Sequence, residues 1–512
     1  MKKENNHIAA ATIVIFGGNG DLSWRKLFPA FYNLFIDDHL PNDFKIIGVH
    51  YGEMKEENYK KHLLEGINKF SRRGKAKINE WKKFAEHLHF FKGDFTEPDT
   101  FKGLKQLLDL FEKKRKERGV RLFFYAVAPR FIETISTSLN KFGLADDERK
   151  DRIVVEKPFG TDLNTAKQLN SMLTSYFSEK QLYRIDHYLG KEPVQNILTF
   201  RFANMVFEPI WNHNYIENIQ VTVAENIGIE GRGAFYEQAG ALKDMVQNHL
   251  LQLLCVIAME PPVSFNAEEI RNKKADVLKA IRQMTKKDVA ENVVRGQYDE
   301  GRLKDKPQPA YRKEERVNPH SDIETFVAAK FFIDNWRWQG VPFYLRTGKA
   351  LQKSTSVIAI QFKKVPHKVF PASATGFMKA NQLIISIQPQ MEITLLFQAK
   401  EPGIQLKITP VEMDFTYTDS YQQGVPEAYE TLLLDALRGD ATLFMRVDQV
   451  EEAWSVITPI INAWKLDGKV SFPNYKAGSW GPAAAEKLIK RDNFEWILLP
   501  EQKIVKRKAR KC

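Results

Sequence analysis

Short, unbroken apolar runs punctuate the first third of the chain. Residues 11–16 (ATIVIF), 44–50 (FKIIGVH), 121–129 (RLFFYAVAP) and 151–160 (DRIVVEKPFG) are rich in β-branched and aromatic residues, the pattern of strands buried on both faces of a parallel sheet. Charged stretches lie between them; residues 23–35 (SWRKLFPAFYNLF) have helical apolar spacing except at Pro29. Strands alternating with helices predict an α/β, Rossmann-like domain over residues 1–185. From Ile216 the texture changes. NIQVTVAEN, SVIAIQFKKV, NQLIISIQP and MEITLLFQA follow as strand-like runs, with helices expected at 241–259, 268–285, 425–437 and 447–464. Consecutive strands with turn-length gaps argue for a mainly antiparallel sheet, hence a larger α+β domain over 186–495. Residues 296–322 are polar and proline-bearing, so a surface excursion is expected there.

Composition narrows the class. A chain of 512 residues is too long for one ordinary core. No run approaches 18 uninterrupted apolar residues, so no membrane-spanning helix is expected. The opening MKKENNHIAAATIVIF has basic residues before an apolar run, but it passes straight into Gly17-Gly18-Asn19-Gly20 without a small-residue cleavage site. It reads as a first strand rather than a signal peptide, and a cytoplasmic location is the expectation. Cys255 lies in the apolar run LLQLLCVIAM and is expected in the core; with Cys512 the only other cysteine, no disulfide framework is available. The net charge is +12. Lys503, Lys506, Arg507, Lys508, Arg510 and Lys511 crowd a basic tail assigned to 496–512, and elsewhere bases are interspersed with acids. That distribution argues against nucleic acid as a partner, while a positive surface helps steer a phosphorylated small molecule.

Three clusters carry chemistry. Gly17, Gly18, Gly20, Asp21 and Leu22 form a turn between the first strand and the following helix, the context in which backbone N–H groups cradle a dinucleotide. The glycines do not complete GxGxxG, because Ser23 stands where the third would fall. Lys157, in Glu156-Lys157-Pro158, sits at a strand end, hence at the carboxyl edge of the sheet where ligands bind. Residues 184–192, RIDHYLGKE, read as a strand end, a turn and a helix start with Pro193 in its first turn. His187, Tyr188 and Lys191 could hold an anion there, with Gly190 letting it approach the backbone. Further on, Leu242, Val246, His249 and Leu253 share a face at α-helical spacing, which puts His249 on an apolar stripe. Desolvation lowers a histidine's pKa and a carboxylate partner orients it, making a neutral base near pH 7; Asp186 is the candidate partner.

GGNGDL followed by RKLFPA, VVEKPFG, RIDHYLGKEPVQN, FANMVFEPIWN, EGRGAFYEQAGALKDMVQNHLLQLL, PFYLRTGKAL and YETLLLDALRGDATLFMR together resemble the glucose-6-phosphate dehydrogenase family, in order, from about residue 12 to about residue 490. The resemblance implies oxidation of C1 of glucose 6-phosphate to a 6-phosphoglucono-lactone by hydride transfer to NADP or NAD, the first step of the oxidative pentose phosphate pathway. It implies His249 as the general base and Asp186 as the carboxylate that orients it. His187, Tyr188 and Lys191 match the phosphate cradle, and Lys157 a residue serving substrate and cofactor with Pro158 in a cis peptide. Glu225, Asp244, Lys349 and Gln388 match positions around the sugar, Lys26 a lysine near the substrate, and Gly17, Gly20, Asp21 and Leu22 the dinucleotide turn. No metal is implied, and the assembly implied is a homodimer or homotetramer.

The departures concern the dinucleotide. The family pattern has an arginine just after the second strand and a serine or threonine in the glycine turn, both reading the 2′-phosphate of NADP; this chain has Tyr51 and Asn19. A 2′-phosphate without a cationic partner loses its main attraction, which leaves both NADP and NAD open, with Lys55 and Arg130 as substitute cations. Ser386, where animal relatives carry an arginine, argues against an additional structural NADP. The alternative reading is a related NAD(P)-dependent sugar dehydrogenase acting on another or unphosphorylated hexose.

Overall fold

In a computed structural model the described residues are 8–498, apart from 114, 116, 368, 377, 422–423 and 467–469. The basic tail from Lys503 and Cys512 lie outside them. The chain forms two compact units that exchange segments: Met1–Glu192, Pro262–Lys273 and Pro426–Glu451 build the first, and Pro193–Pro261, Lys274–Val425 and Glu452–Cys512 the second. A single boundary at residue 186 does not describe this interleaving. Its cause in the first unit is visible in side chains. Glu430 accepts hydrogen bonds from Asn33 at 2.9 Å and Arg72 at 2.8 Å, and Gln449 donates to the Arg271 carbonyl at 2.7 Å.

The first unit is the expected α/β domain. Strands β1 (Ala10–Phe16), β2 (Asp43–His50), β3 (Leu88–Lys92), β4 (Val120–Tyr125), β5 (Asp151–Val155) and β6 (Leu182–Ile185) form a parallel sheet in the order 6-5-4-1-2-3. A short strand, Phe444–Met445, returns late in the chain to pair antiparallel with β6. All seven residues of β1 and all five of β5 are buried, as two-sided burial of an uninterrupted apolar run requires. The strand order reverses between β1 and β4, which opens a crevice at the carboxyl ends of the strands.

Pro29 does not end the first helix. The chain is helical from Asp21 to Ile36, and its Ser23–Leu27 stretch is π-helical, with the Phe28 N–H reaching back to the Ser23 carbonyl. A widened turn spares Pro29 both the hydrogen bond it cannot donate and the clash of its ring with the preceding turn. Spacing alone could not show that remedy.

The second unit holds the α+β sheet. Among the described residues it has eight strands, in the order Ile408–Thr416, Glu392–Lys400, Gln382–Gln388, Thr355–Phe362, β7 (Ile216–Ala224), Pro342–Gly348, Phe326–Phe332 and Val293–Gly296. Every neighbouring pair is antiparallel except β7 with Pro342–Gly348. Residues 296–322 lie largely at the surface, as expected, but are anchored to the unit. They form a hairpin of Gly301–Leu303 with Lys306–Gln308, and Tyr298–Asp299 pairs with Tyr475–Lys476. Tyr298 and Tyr311 are buried in one cluster with Tyr236, Phe326 and Tyr475. Their hydroxyls donate to Glu314 at 2.9 Å and Glu237 at 2.6 Å, so the buried phenols that anchor the segment are satisfied by carboxylates.

Candidate active site

The first unit places the dinucleotide turn at its crevice. Gly17, at φ 84°, leaves β1 in the left-handed region, and the Gly17 and Gly18 N–H groups donate to the Val49 carbonyl of β2 at 3.0 and 3.1 Å. Ser23 fills the position of the missing third glycine. Its buried hydroxyl donates to the Gly17 carbonyl at 2.9 Å, so a side chain is accepted where close packing otherwise favours none. The N–H groups of Asp21 and Leu22 open the helix, where first-turn N–H groups lack intrahelical acceptors, which suits a pyrophosphate. Lys26 lies on the π-helical stretch and pairs with Glu427 at 3.1 Å.

At the end of β2, Tyr51 is exposed and Glu53 pairs with Lys92, the last residue of β3, at 2.6 Å. Lys55 precedes the helix Glu56–Phe70, and the Arg130 guanidinium lies 4.9 Å from the centroid of the Phe131 ring.

The register Val155↔Arg184 brings the chain after β5 beside the chain after β6, so Glu156-Lys157 and Asp186-His187 share one edge of the sheet. The Lys157–Pro158 bond is cis. Asp186 turns the chain locally: its carboxylate accepts the Tyr188 N–H at 2.9 Å and its carbonyl the Leu189 N–H at 3.0 Å. Lys191 folds back until its ammonium is 3.7 Å from the Tyr188 ring centroid, a cation held by a π-face close to the start of the helix Glu192–Phe202. The reason for Gly190 differs from the expected one. A Cβ there would stand 2.6 Å from the Ala428 carbonyl oxygen, so close packing of the helix Ala428–Arg438 requires the glycine.

The second unit gathers Glu225, Lys349, Asp244 and His249 on two supports. Glu225 follows β7 and Lys349 follows Pro342–Gly348, at the carboxyl ends of the parallel pair, with the Glu225 N–H donating to the Gly348 carbonyl at 3.1 Å. Lys349 is buried, hydrogen-bonds the Glu225 carboxylate and lies 5.8 Å from the Tyr236 ring centroid. Gln388 ends its strand opposite Ser356, which in turn pairs with Val223, so it shares this end of the sheet. Asp244 and His249 are buried on the stretch Leu242–Leu250, which is π-helical and continues as the α-helix Leu251–Ala258. The α-helical stripe expected for His249 is thereby rephased. Residues five apart, as Asp244 and His249 are, come nearer to one face in a π-helix than in an α-helix.

Two family models match the chain: "Glucose-6-phosphate dehydrogenase, NAD binding domain" over residues 14–196 and "Glucose-6-phosphate dehydrogenase, C-terminal domain" over residues 198–497. The chain belongs to the glucose-6-phosphate dehydrogenase family. The glucose-6-phosphate 1-dehydrogenase of Chlamydia pneumoniae is 42% identical to it over 491 residues, covering 94% of this chain and 95% of the relative. That of Bacillus subtilis is 41% identical over 493 residues, covering 96% and 99%. A solved glucose-6-phosphate dehydrogenase in complex with its substrate superposes with a TM-score of 0.87 at 34% identity, covering 95% of this chain and 98% of that one. The enzyme from Mycobacterium avium superposes with a TM-score of 0.80 at 32% identity, covering 96% and 100%. Membership makes the chain an NAD(P)-binding oxidoreductase.

Two carboxylates next to the family residues, Glu324 buried and Glu156 half-buried, escape a reading of the sequence. Glu156 accepts the Tyr429 hydroxyl at 2.8 Å, and burial, opposed by that hydrogen bond and by the Lys157 charge, pushes its carboxyl up to about 7. Glu324 holds the start of the His249 helix. Glu156 stands beside Lys157 in EKP, where the lysine drew the attention; nothing local marks Glu324, because its partner lies 82 residues away.

Proposed function

We propose that the chain oxidises glucose 6-phosphate at C1 to a 6-phosphoglucono-lactone, with NADP or NAD as hydride acceptor, and that His249 is the general base. The observation that carries this reading is the family assignment across both units, together with burial of Asp186 and His249 and the cation of Lys191 beside a helix start. In this reading His187, Tyr188 and Lys191 hold the 6-phosphate. A fixed handle at C6 lets remote binding free energy orient C1. Glu225, Asp244 and Lys349 contact the sugar, Lys157 serves both ligands, and Asp186 keeps the His249 imidazole in the tautomer that accepts the C1 hydroxyl proton and stabilises the cation that results. Gly17, Gly20, Asp21 and Leu22 cradle the dinucleotide pyrophosphate. Bound there, the nicotinamide supplies the hydride acceptor.

The assembly proposed is a homodimer or homotetramer in the cytoplasm; light scattering of the purified chain decides the first point. Among the described residues no helix is long and apolar enough to cross a membrane.

Steady-state kinetics of two variants test the assignments. Replacing His249 by asparagine lowers kcat by about 10²–10⁴-fold with KM for glucose 6-phosphate little changed, whereas Lys191→Ala chiefly raises KM. Equal effects of both substitutions on both parameters would refute the division of roles.

A further inference from the structure

The helix that carries Asp244 and His249 does not begin where the preceding helix ends. Gly233–Ala241 is interrupted at Gly240, which adopts φ 63° and ψ 177°, and the chain restarts in a new direction at Ala241. A restart inside a buried region leaves first-turn N–H groups without intrahelical acceptors, and a side-chain oxygen on a preceding residue ordinarily supplies one. Here the preceding residue is a glycine with no side chain. The acceptors come from another part of the chain: the Ala241 N–H donates to the Glu324 carbonyl at 3.0 Å, and the Leu242 N–H to Glu324 Oε1 at 2.9 Å. Glu324 is itself buried, and its carboxylate occupies the space a Cβ on Gly240 would need, 2.4 Å from that position. The glycine and the glutamate therefore require each other.

Glu324 is held from its other side. The Thr325 N–H donates to the Gly296 carbonyl at 2.7 Å, its hydroxyl bonds the Tyr475 hydroxyl at 2.8 Å, and its carbonyl accepts the Lys349 N–H at 2.9 Å. The Tyr475 hydroxyl also reaches the Lys349 carbonyl at 2.8 Å. Two consecutive residues thus tie the start of the His249 helix to the strand end that presents Lys349. A π-helical stretch is a rare conformation within α-helices, and a shift of its phase to α-helical spacing would carry Asp244 and His249 to other directions. We propose that Glu324 is a positioning residue for catalysis: by capping the Ala241–Leu242 restart in place of Gly240, it fixes the phase of the π-helical turn and so the direction of His249. This rests on the assignment of His249 as the base.

The test combines amide hydrogen exchange with steady-state kinetics on glucose 6-phosphate, using the full chain and the variants Glu324→Ala, Glu324→Asp, Glu324→Gln and His249→Asn. In Glu324→Ala, exchange over residues 241–249 rises about tenfold while β7 stays protected, and kcat falls about 10–100-fold with KM within about threefold. Glu324→Gln retains a carbonyl acceptor for Leu242 and recovers both readouts to within about threefold of the parent. The carboxylate of Glu324→Asp is one methylene short and gives the same changes in milder form, which keeps the test open should the alanine variant fail to fold. Unchanged exchange at 241–249 in the Asp and Ala variants overturns the cap. Faster exchange with an unchanged kcat overturns its catalytic role, as does Glu324→Gln behaving like Glu324→Ala. If His249→Asn keeps full turnover, the base assignment is what fails, and the exchange data alone then judge the cap.

Discussion

Glu156 shows how one partly buried group makes folding sensitive to pH. Its folded carboxyl is pushed from 4.5 up to about 7 because burial outweighs the Tyr429 hydrogen bond and the Lys157 charge. As pH rises, the unfolded chain gives up this proton first, so between those values the folded state holds more protons and stability falls. The benefit of the neutral group is complete below about 4.5 and gone above about 7. Glu324, shifted upward chiefly by burial, and Asp435, by burial and then Asp440, act in the same direction. Urea midpoints measured from pH 4.5 to 7 should therefore decline in the parent and decline less in Glu156→Gln, which keeps an acceptor for Tyr429 but cannot ionise. An undiminished slope in that variant would show that other groups carry the dependence. The candidate catalytic residues were legible because each is a reactive type in a long, ordered motif. Glu324 was not, since its meaning depends on Leu242, far away in sequence.

At the scale of elements, the runs of buried β-branched and aromatic residues marked β1, β4 and β5 well, because a strand covered on both faces has no polar face to confuse the pattern. Helix geometry was harder. The π-helical stretches at Ser23–Leu27 and Leu242–Leu250 answer local demands, a proline in the first and an irregular restart in the second, that α-helical spacing does not encode. Polar composition likewise hid the packing of residues 296–322, where Tyr298 and Tyr311 anchor the segment. Gly190 is the clearest reversal: read as an opening for a ligand, it serves the approach of the helix Ala428–Arg438. Gly190→Ala should accordingly cost about 1–3 kcal/mol of stability through overpacking, seen as a lower melting temperature of the free protein. An unchanged melting temperature with a raised KM for glucose 6-phosphate would return the glycine to the ligand.

For the whole molecule, the sequence legible as two textures folds as two units that exchange segments, because Glu430 and Gln449 hold late parts of the chain to the first unit. The net charge of +12 fits attraction of two anionic ligands, a sugar phosphate and a dinucleotide, better than a polyanion site, since bases and acids are interspersed through the body of the chain. The choice of dinucleotide turns on few atoms. Without an arginine at position 51, Lys55 follows β2 ahead of the helix Glu56–Phe70, and Lys92 at the end of β3 is already paired with Glu53. The central claim is the substrate, and its most direct measurement is the initial rate of reduced dinucleotide formation with glucose 6-phosphate or glucose, each with NADP and with NAD. Rapid turnover of glucose 6-phosphate with at least one dinucleotide, and kcat/KM for glucose lower by about 10³-fold or more, is the predicted result, since in the proposed site only the phosphorylated sugar would engage Lys191 and its neighbours. Comparable kcat/KM for the two sugars would contradict it.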